Sequence, residues 1–142
     1  MEGRVLLASD NAGQRKLIAD ALDLAGFTVI AAEDGPECLL RATLEDPDLV
    51  IVEANMVLMD GIAVLRALRA SPQTAELPVI MLTRRLGSGD VPLELRTERE
   101  VYLAKPLKIG KLISTARALL HSAQAHDGRV PAGAAAVPTS HG

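Results

Sequence analysis

The sequence predicts an α/β fold: a five-stranded parallel sheet with helices on both faces, three layers in all. Five short apolar runs, Val5–Ala8, Thr28–Ala31, Leu49–Val52, Val79–Leu82 and Val101–Ala104, alternate with stretches of helical periodicity, as repeated βαβ units do. The third run is unbroken by polar residues, which suits a strand covered on both faces. The turn signal Asp46-Pro47-Asp48 bounds that run on its amino side.

Each intervening element has its own signals. Leu17, Ile18, Ala21, Leu22 and Ala25 repeat at helical spacing, with Asn11 and Gln14 placed as a capping box and Gly26 as the stop. Gly35-Pro36 opens the second helix, which carries Cys38; a lone cysteine forms no internal disulfide and reads as a small core residue. Asp60 caps a third helix with Ile62, Leu65 and Leu68 on one face. The fourth helix is degenerate. Between Arg84 and Glu100 stand Gly87, Gly89 and Pro92, so a loop and a short helix starting near Asp90 or Pro92 are expected. Ile109, Leu112, Ile113, Ala116, Leu119 and Leu120 give a strongly amphipathic last helix. From Ser122 the chain has little to bury, so residues 1–121 are expected to form the domain and 122–142 a disordered tail or linker.

Composition narrows the function. A chain of 142 residues with 49% hydrophobic content and a formal charge of −3 suits one soluble domain, expected in the cytoplasm, and no apolar run approaches the ~18 residues of a membrane span. Phe27 and Tyr102 are the only aromatics, and no basic stripe is present, which argues against direct nucleic-acid binding. Gly87-Ser88-Gly89 lacks the rest of a phosphate loop, and His121, His126 and His141 lack ligand spacing.

Ligands of open parallel sheets bind at the carboxyl ends of the strands. Ser9-Asp10 follow the first run, Glu53 the third, Thr83 the fourth and Lys105-Pro106 the fifth. Taken singly, Glu53 reads as a solvated strand end, Asp10 as a helix start and Lys105 as surface charge. Together they converge on one crevice.

At this point the chain resembles the receiver domain of bacterial response regulators, the chemotaxis-type module, from Arg4 to His121. The match rests on Leu7-Ala8-Ser9-Asp10-Asn11, on Pro47 to Glu53 with Asn55-Met56 and Met59-Asp60-Gly61, on Pro78 to Thr83, and on Tyr102-Leu103-Ala104-Lys105-Pro106. It implies a doubly wound, flavodoxin-like sheet of strand order 2-1-3-4-5. It also implies that an aspartate at the position of Glu53 accepts a phosphoryl group, that acids at Ser9 and Asp10 hold Mg²⁺ with the carbonyl of Asn55, that Lys105 pairs with the acceptor, and that Thr83 and Tyr102 form the switch.

Two of three carboxylates depart from that pattern. Ser9 replaces an acid, and Glu53 is longer by one methylene, which moves its oxygens by about 1.5 Å. In-line phosphoryl transfer is sensitive to misplacement of that size. Magnesium demands near-ideal octahedral oxygens, so the site formed by Asp10, Glu53 and Asn55 is expected to be weak, and no other cofactor is expected. Lys105 can reach Glu53 directly. Arg84 stands where the family has a small residue, and it could cover the crevice or pair with Glu53; Val57 replaces a proline.

The expectation is a pseudo-receiver: not an enzyme, but a phosphorylation-independent interaction module docking a signalling protein through the face of the fourth helix, fifth strand and fifth helix. A histidine kinase and a second copy of the chain are further partners that the resemblance implies. The alternative is a conventional phosphorelay regulator, phosphorylated by a histidine kinase on Glu53 or on some other residue. A small flavodoxin-like enzyme would need a nucleophile–base pair that the sequence lacks.

Overall fold

The computed structural model describes residues 2–84 and 91–126. All five apolar runs form strands: β1 (Gly3–Ala8), β2 (Phe27–Ala32), β3 (Leu49–Glu53), β4 (Val79–Thr83) and β5 (Glu100–Ala104). They pair in parallel in the order β2-β1-β3-β4-β5, as the resemblance implied. Strand β3 is longer than its apolar run by the residue that matters most, since the ladder pairs Glu53 with Leu82. The acid is the last rung of the strand, not the first residue after it.

Helices α1 (Ala12–Leu24), α2 (Gly35–Glu45), α3 (Gly61–Ala70) and α4 (Ile109–His126) cover the sheet. Between β4 and β5 the described residues form only a 3₁₀ turn, Leu93–Leu95, that follows Pro92; α4 is therefore the fifth predicted helix. It also runs past the Ser122 boundary to His126. Gly87, Gly89 and residues 127–142 of the expected 122–142 tail lie outside the described residues.

Strand alternation sorts the core into two layers. Leu6, Val50, Val52, Val79 and Met81 pack with Cys38, Ala42, Val64, Leu65 and Leu68 of α2 and α3. Val5, Leu7, Leu49, Ile51, Ile80, Leu82 and Leu103 pack with Ile18 and Leu22 of α1 and with Leu112, Ala116 and Leu119 of α4. This is the predicted three-layer arrangement. The α1 stripe is narrower than its periodicity suggested, since Leu17 is 62% exposed. Cys38 is buried, and desolvation pushes its thiol up to about 12, consistent with a packing role.

The caps follow the side-chain signals. Asn11, Asp34 and Asp60 each accept the backbone N–H of the third residue of the following helix. Gly26, at φ +102°, supplies the left-handed turn after α1. Gly61 is required for a different reason: a Cβ there would lie 2.7 Å from the carbonyl oxygen of Glu53 and 2.5 Å from the sulfur of Met81. Its absence lets α3 begin directly against the end of β3.

A second buried charge, which the sequence reading did not single out, anchors the segment that stands in for the missing helix. The Glu100 side chain is fully buried, accepts from the backbone N–H and hydroxyl of Thr97 at 2.6 and 2.8 Å, and pairs with Arg69 of α3. Arg69 Nε donates at 2.8 Å, and Nη2 contacts the same oxygen. Arg66 of α3 adds an exposed ion pair to Glu94 at 3.0 Å. The segment is thereby strapped to α3.

Candidate functional site

The carboxyl ends of β1, β3 and β5 bring Ser9, Asp10, Glu53 and Lys105 to one end of the sheet. Alternation then divides the residues. Ser9, Glu53 and Lys105 continue the series Val5–Leu7, Leu49–Ile51 and Val101–Leu103 on the α1/α4 side of the sheet. Thr83 and Tyr102 continue Val79–Met81 and the other β5 face, on the α2/α3 side.

Glu53 is buried, with only 4% of its side chain exposed, so it is not a solvated strand end. Its Oε1 accepts from Lys105 Nζ at 2.5 Å, the Lys105 side chain being 23% exposed. Its Oε2 is buried without a hydrogen-bond partner. Buried carboxylate oxygens are seldom left so, and this atom marks where a donor or a cation would be accommodated. Lys105 Nζ also reaches Gln14 Oε1 on α1 at 3.4 Å. The Gln14 side chain thus serves the pocket and not the reciprocal half of the capping box; only the Asn11 half forms. Arg84 is exposed, and among the described residues the ion-pair partner of Glu53 is Lys105. Of the two roles open to Arg84, pairing with Glu53 is taken by Lys105.

Ser9 is fully buried. The last rung between β1 and β3 pairs Ala8 with Val52, so Ser9 and Glu53, the residues that follow these two, lie at the same end of the sheet. The Ser9 hydroxyl oxygen accepts the Asn11 N–H at 3.2 Å and reaches the Asn11 carbonyl only at 3.5 Å. Asp10 is exposed, and its Oδ2 accepts the backbone N–H of Val57 at 2.9 Å, tying the β1–α1 loop to the β3–α3 loop. Asp10, Arg15, Glu33, Asp34, Val57 and Leu58 line an open groove of about 560 Å³ above the point where strand order reverses. Val57 is 89% exposed at its rim.

This donor set is a poor fit to magnesium. Of the oxygens that the resemblance assigns to the metal, one carboxylate is absent at Ser9, one Asp10 oxygen accepts from Val57 and one Glu53 oxygen holds an ammonium. Among the described residues no three His, Cys, Asp or Glu side chains gather as a metal-binding group.

On the other side of the sheet the Tyr102 ring packs against the α2/α3 core layer, and its hydroxyl donates to the carbonyl of Leu95 at 3.1 Å. Leu95 is itself buried in that layer. The 3₁₀ turn thus holds the ring by both packing and a hydrogen bond. Burial, with the Glu100 carboxylate as a lesser cause, pushes the phenol up to about 12. Between pH 10 and 12 the unfolded chain loses this proton while the native one keeps it. Stability from this group should therefore be complete below about pH 10 and be lost as pH rises toward 12. Tyr102 is the only tyrosine and there is no tryptophan, so phenolate absorbance reads it alone. A native midpoint near 10 would contradict the Leu95 latch.

A family model of the response regulator receiver domain matches residues 5–117. The chain is 35% identical over 117 residues to the transcriptional regulatory protein PrrA of Mycobacterium bovis, covering 82% of this chain and 49% of the relative. It is 37% identical over 118 residues to the transcriptional regulatory protein CpxR of Klebsiella pneumoniae, with 82% and 49% covered. It thus spans about half the length of these curated relatives. Among solved structures, the signal receiver domain of a histidine kinase from Syntrophus aciditrophicus superposes with a TM-score of 0.76 at 30% identity, over 84% of this chain and 91% of that one. A receiver domain of a Pseudomonas aeruginosa sensor histidine kinase, with magnesium coordinated in its active-site cleft, gives 0.75 at 26% identity, over 84% and 98%. Strand order, the residues at the strand ends and these matches agree, and the chain belongs to the response regulator receiver domain family.

Proposed function

We propose that this receiver signals as a protein-interaction module whose pocket is set by a fixed Glu53–Lys105 charge pair and not by phosphorylation. The observation that carries this reading is the burial of Glu53 against Lys105. A phosphodonor would have to reach a carboxylate that is almost fully covered, and an incoming phosphoryl group would have to displace its ammonium partner. The longer side chain and the missing acid at Ser9 weaken in-line transfer and metal binding together. Partners would dock on the surface that α4, β5 and the 3₁₀ segment share. There the strap on α3 replaces a helix and alters the shape on offer.

The second reading keeps phosphorylation. It is favoured by kinship with the regulators PrrA and CpxR, and it would make a histidine kinase the partner. Incubation of the full chain with acetyl phosphate and Mg²⁺, followed by intact-mass analysis, separates the two. The fixed-pair reading expects no stoichiometric phosphoryl adduct. A full adduct lost in Glu53→Gln would establish phosphorylation at that glutamate, and an adduct retained in that variant would place it on another residue.

A further inference from the structure

We infer that the groove between the β1–α1, β2–α2 and β3–α3 loops is a docking site for a basic, amphipathic helix of a partner protein. The leucines of that helix lie on Val57 and Leu58, and its arginines reach Glu33 and Asp10. This interface is separate from the face that α4, β5 and the 3₁₀ turn share, and it does not depend on whether Glu53 takes a phosphoryl group.

The groove has the volume of a binding site, about 560 Å³, and two unlike ends. One end is apolar. Val57 and Leu58 are adjacent, 89% and 70% exposed, and stand at its rim. Exposed aliphatic side chains scattered singly are ordinary, but these two share a loop that is pinned at several points. Asp10 Oδ2 accepts the Val57 N–H at 2.9 Å, the Gly61 N–H donates to the Ala54 carbonyl at 2.8 Å, and Met59 Cβ lies 2.7 Å from where a Cβ on Gly35 would be. A partner that meets this pair therefore has little left to order.

The other end is acidic. Asp10 is exposed, the Glu33 side chain is 75% exposed, and Asp34, the cap of α2, follows it. Arg15 is the one base among the described residues that line the groove, and it is turned inward. Its side chain is 18% exposed, Nη1 donates to the Ser9 carbonyl at 2.7 Å, and Nη2 stands 4.0 Å from Glu33 Oε2. Three carboxylates against one guanidinium leave two negative charges, which attract a basic partner and repel nucleic acid and anionic lipid.

Spacing selects a helix. Strands β3 and β2 lie on either side of β1, so their ends stand about 10 Å apart. A helix advances ~10 Å in about two turns and so returns to the same face. Leucines one turn apart, followed about two turns later by arginines on that face, meet the apolar and acidic ends together.

The test titrates the full chain into a fluorescein-labelled, acetylated alanine–glutamine peptide that carries this leucine and arginine pattern, with fluorescence anisotropy as readout. Two control peptides carry the arginines on the opposite face, or glutamates in their place. Wild type should bind the patterned peptide in the micromolar range and each control roughly tenfold more weakly or worse. Val57→Ser combined with Leu58→Ser should raise Kd roughly tenfold through the lost aliphatic contacts. Glu33→Lys should raise it by a similar factor at low salt and by less at physiological salt, where screening is stronger. Leu44→Ser, which removes an equally exposed leucine from α2, should leave binding unchanged. All of these side chains are exposed, so the variants should melt with wild type.

Failure of wild type to bind the patterned peptide would overturn the inference. So would equal binding of the opposite-face control, or a loss in Leu44→Ser as large as that in the groove variants. Sedimentation velocity of the chain alone decides the competing occupant. Self-association that the groove variants abolish would assign the groove to a second copy and overturn the inference, whereas a monomeric wild type that binds the peptide supports it. A phosphoryl adduct on Glu53 with peptide binding intact would end the fixed-pair reading alone.

Discussion

Lys105→Ala should destabilise the fold by about 2–4 kcal/mol, seen as a lower urea midpoint at unchanged slope. The cause is the carboxylate left behind. Glu53 has 4% of its side chain exposed, one oxygen on Lys105 and the other without a donor, so truncating the lysine strips it of its counter-charge. Breaking a fully buried pair costs about 3–5 kcal/mol; the 23% exposure of Lys105 admits water and reduces that figure. Combining Lys105→Ala with Glu53→Gln should recover most of the loss, because a neutral amide leaves no unpaired charge. The double-mutant cycle should give a coupling of roughly 1–3 kcal/mol. Additive losses would mean that the two side chains do not act as a pair.

Arg69→Ala should cost about 3–5 kcal/mol, the larger effect, because its partner Glu100 has no side-chain exposure at all. Thr97 would still donate to one Glu100 oxygen, but the oxygen facing Arg69 would lose both guanidinium contacts. Arg69 Nη1 also reaches the Thr74 carbonyl at 3.5 Å, so the turn after α3 would loosen as well. Arg69→Lys keeps the charge without the planar fork and should fall between. Tyrosine emission supplies a second readout, since the Leu95 carbonyl that accepts from Tyr102 lies in the segment that this pair anchors. Wild-type stability and unaltered emission in Arg69→Ala would show that the strap contributes nothing to the face.

The two pairs differ in how readable they were. Lys105 could be suspected of reaching Glu53, because both follow apolar runs that must end on the same edge of a parallel sheet. Arg84 satisfied the same reasoning, and only the tertiary structure separates them: it buries Glu53 against Lys105 and leaves Arg84 exposed. Local spacing places Gln14 in a helix cap, whereas its side chain turns to Lys105. The residues Arg69 and Glu100 carried no signal, since an arginine late in a helix and an acid before a strand both look like solvated charge. The shortened fourth element, by contrast, was legible from Gly87, Gly89 and Pro92, although the two glycines lie outside the described residues.

What the sequence by itself determined is the sheet, its helical covers, the caps and the set of side chains at the strand ends, because periodicity and capping are local and recur every few residues. Tertiary structure alone decided which of those charges are buried and with whom. Glu53 and Lys105 stand 52 residues apart, and Arg69 and Glu100 stand 31 apart. No local pattern encodes such a pairing; it exists only once parallel strands have brought distant ends together and excluded water from between them.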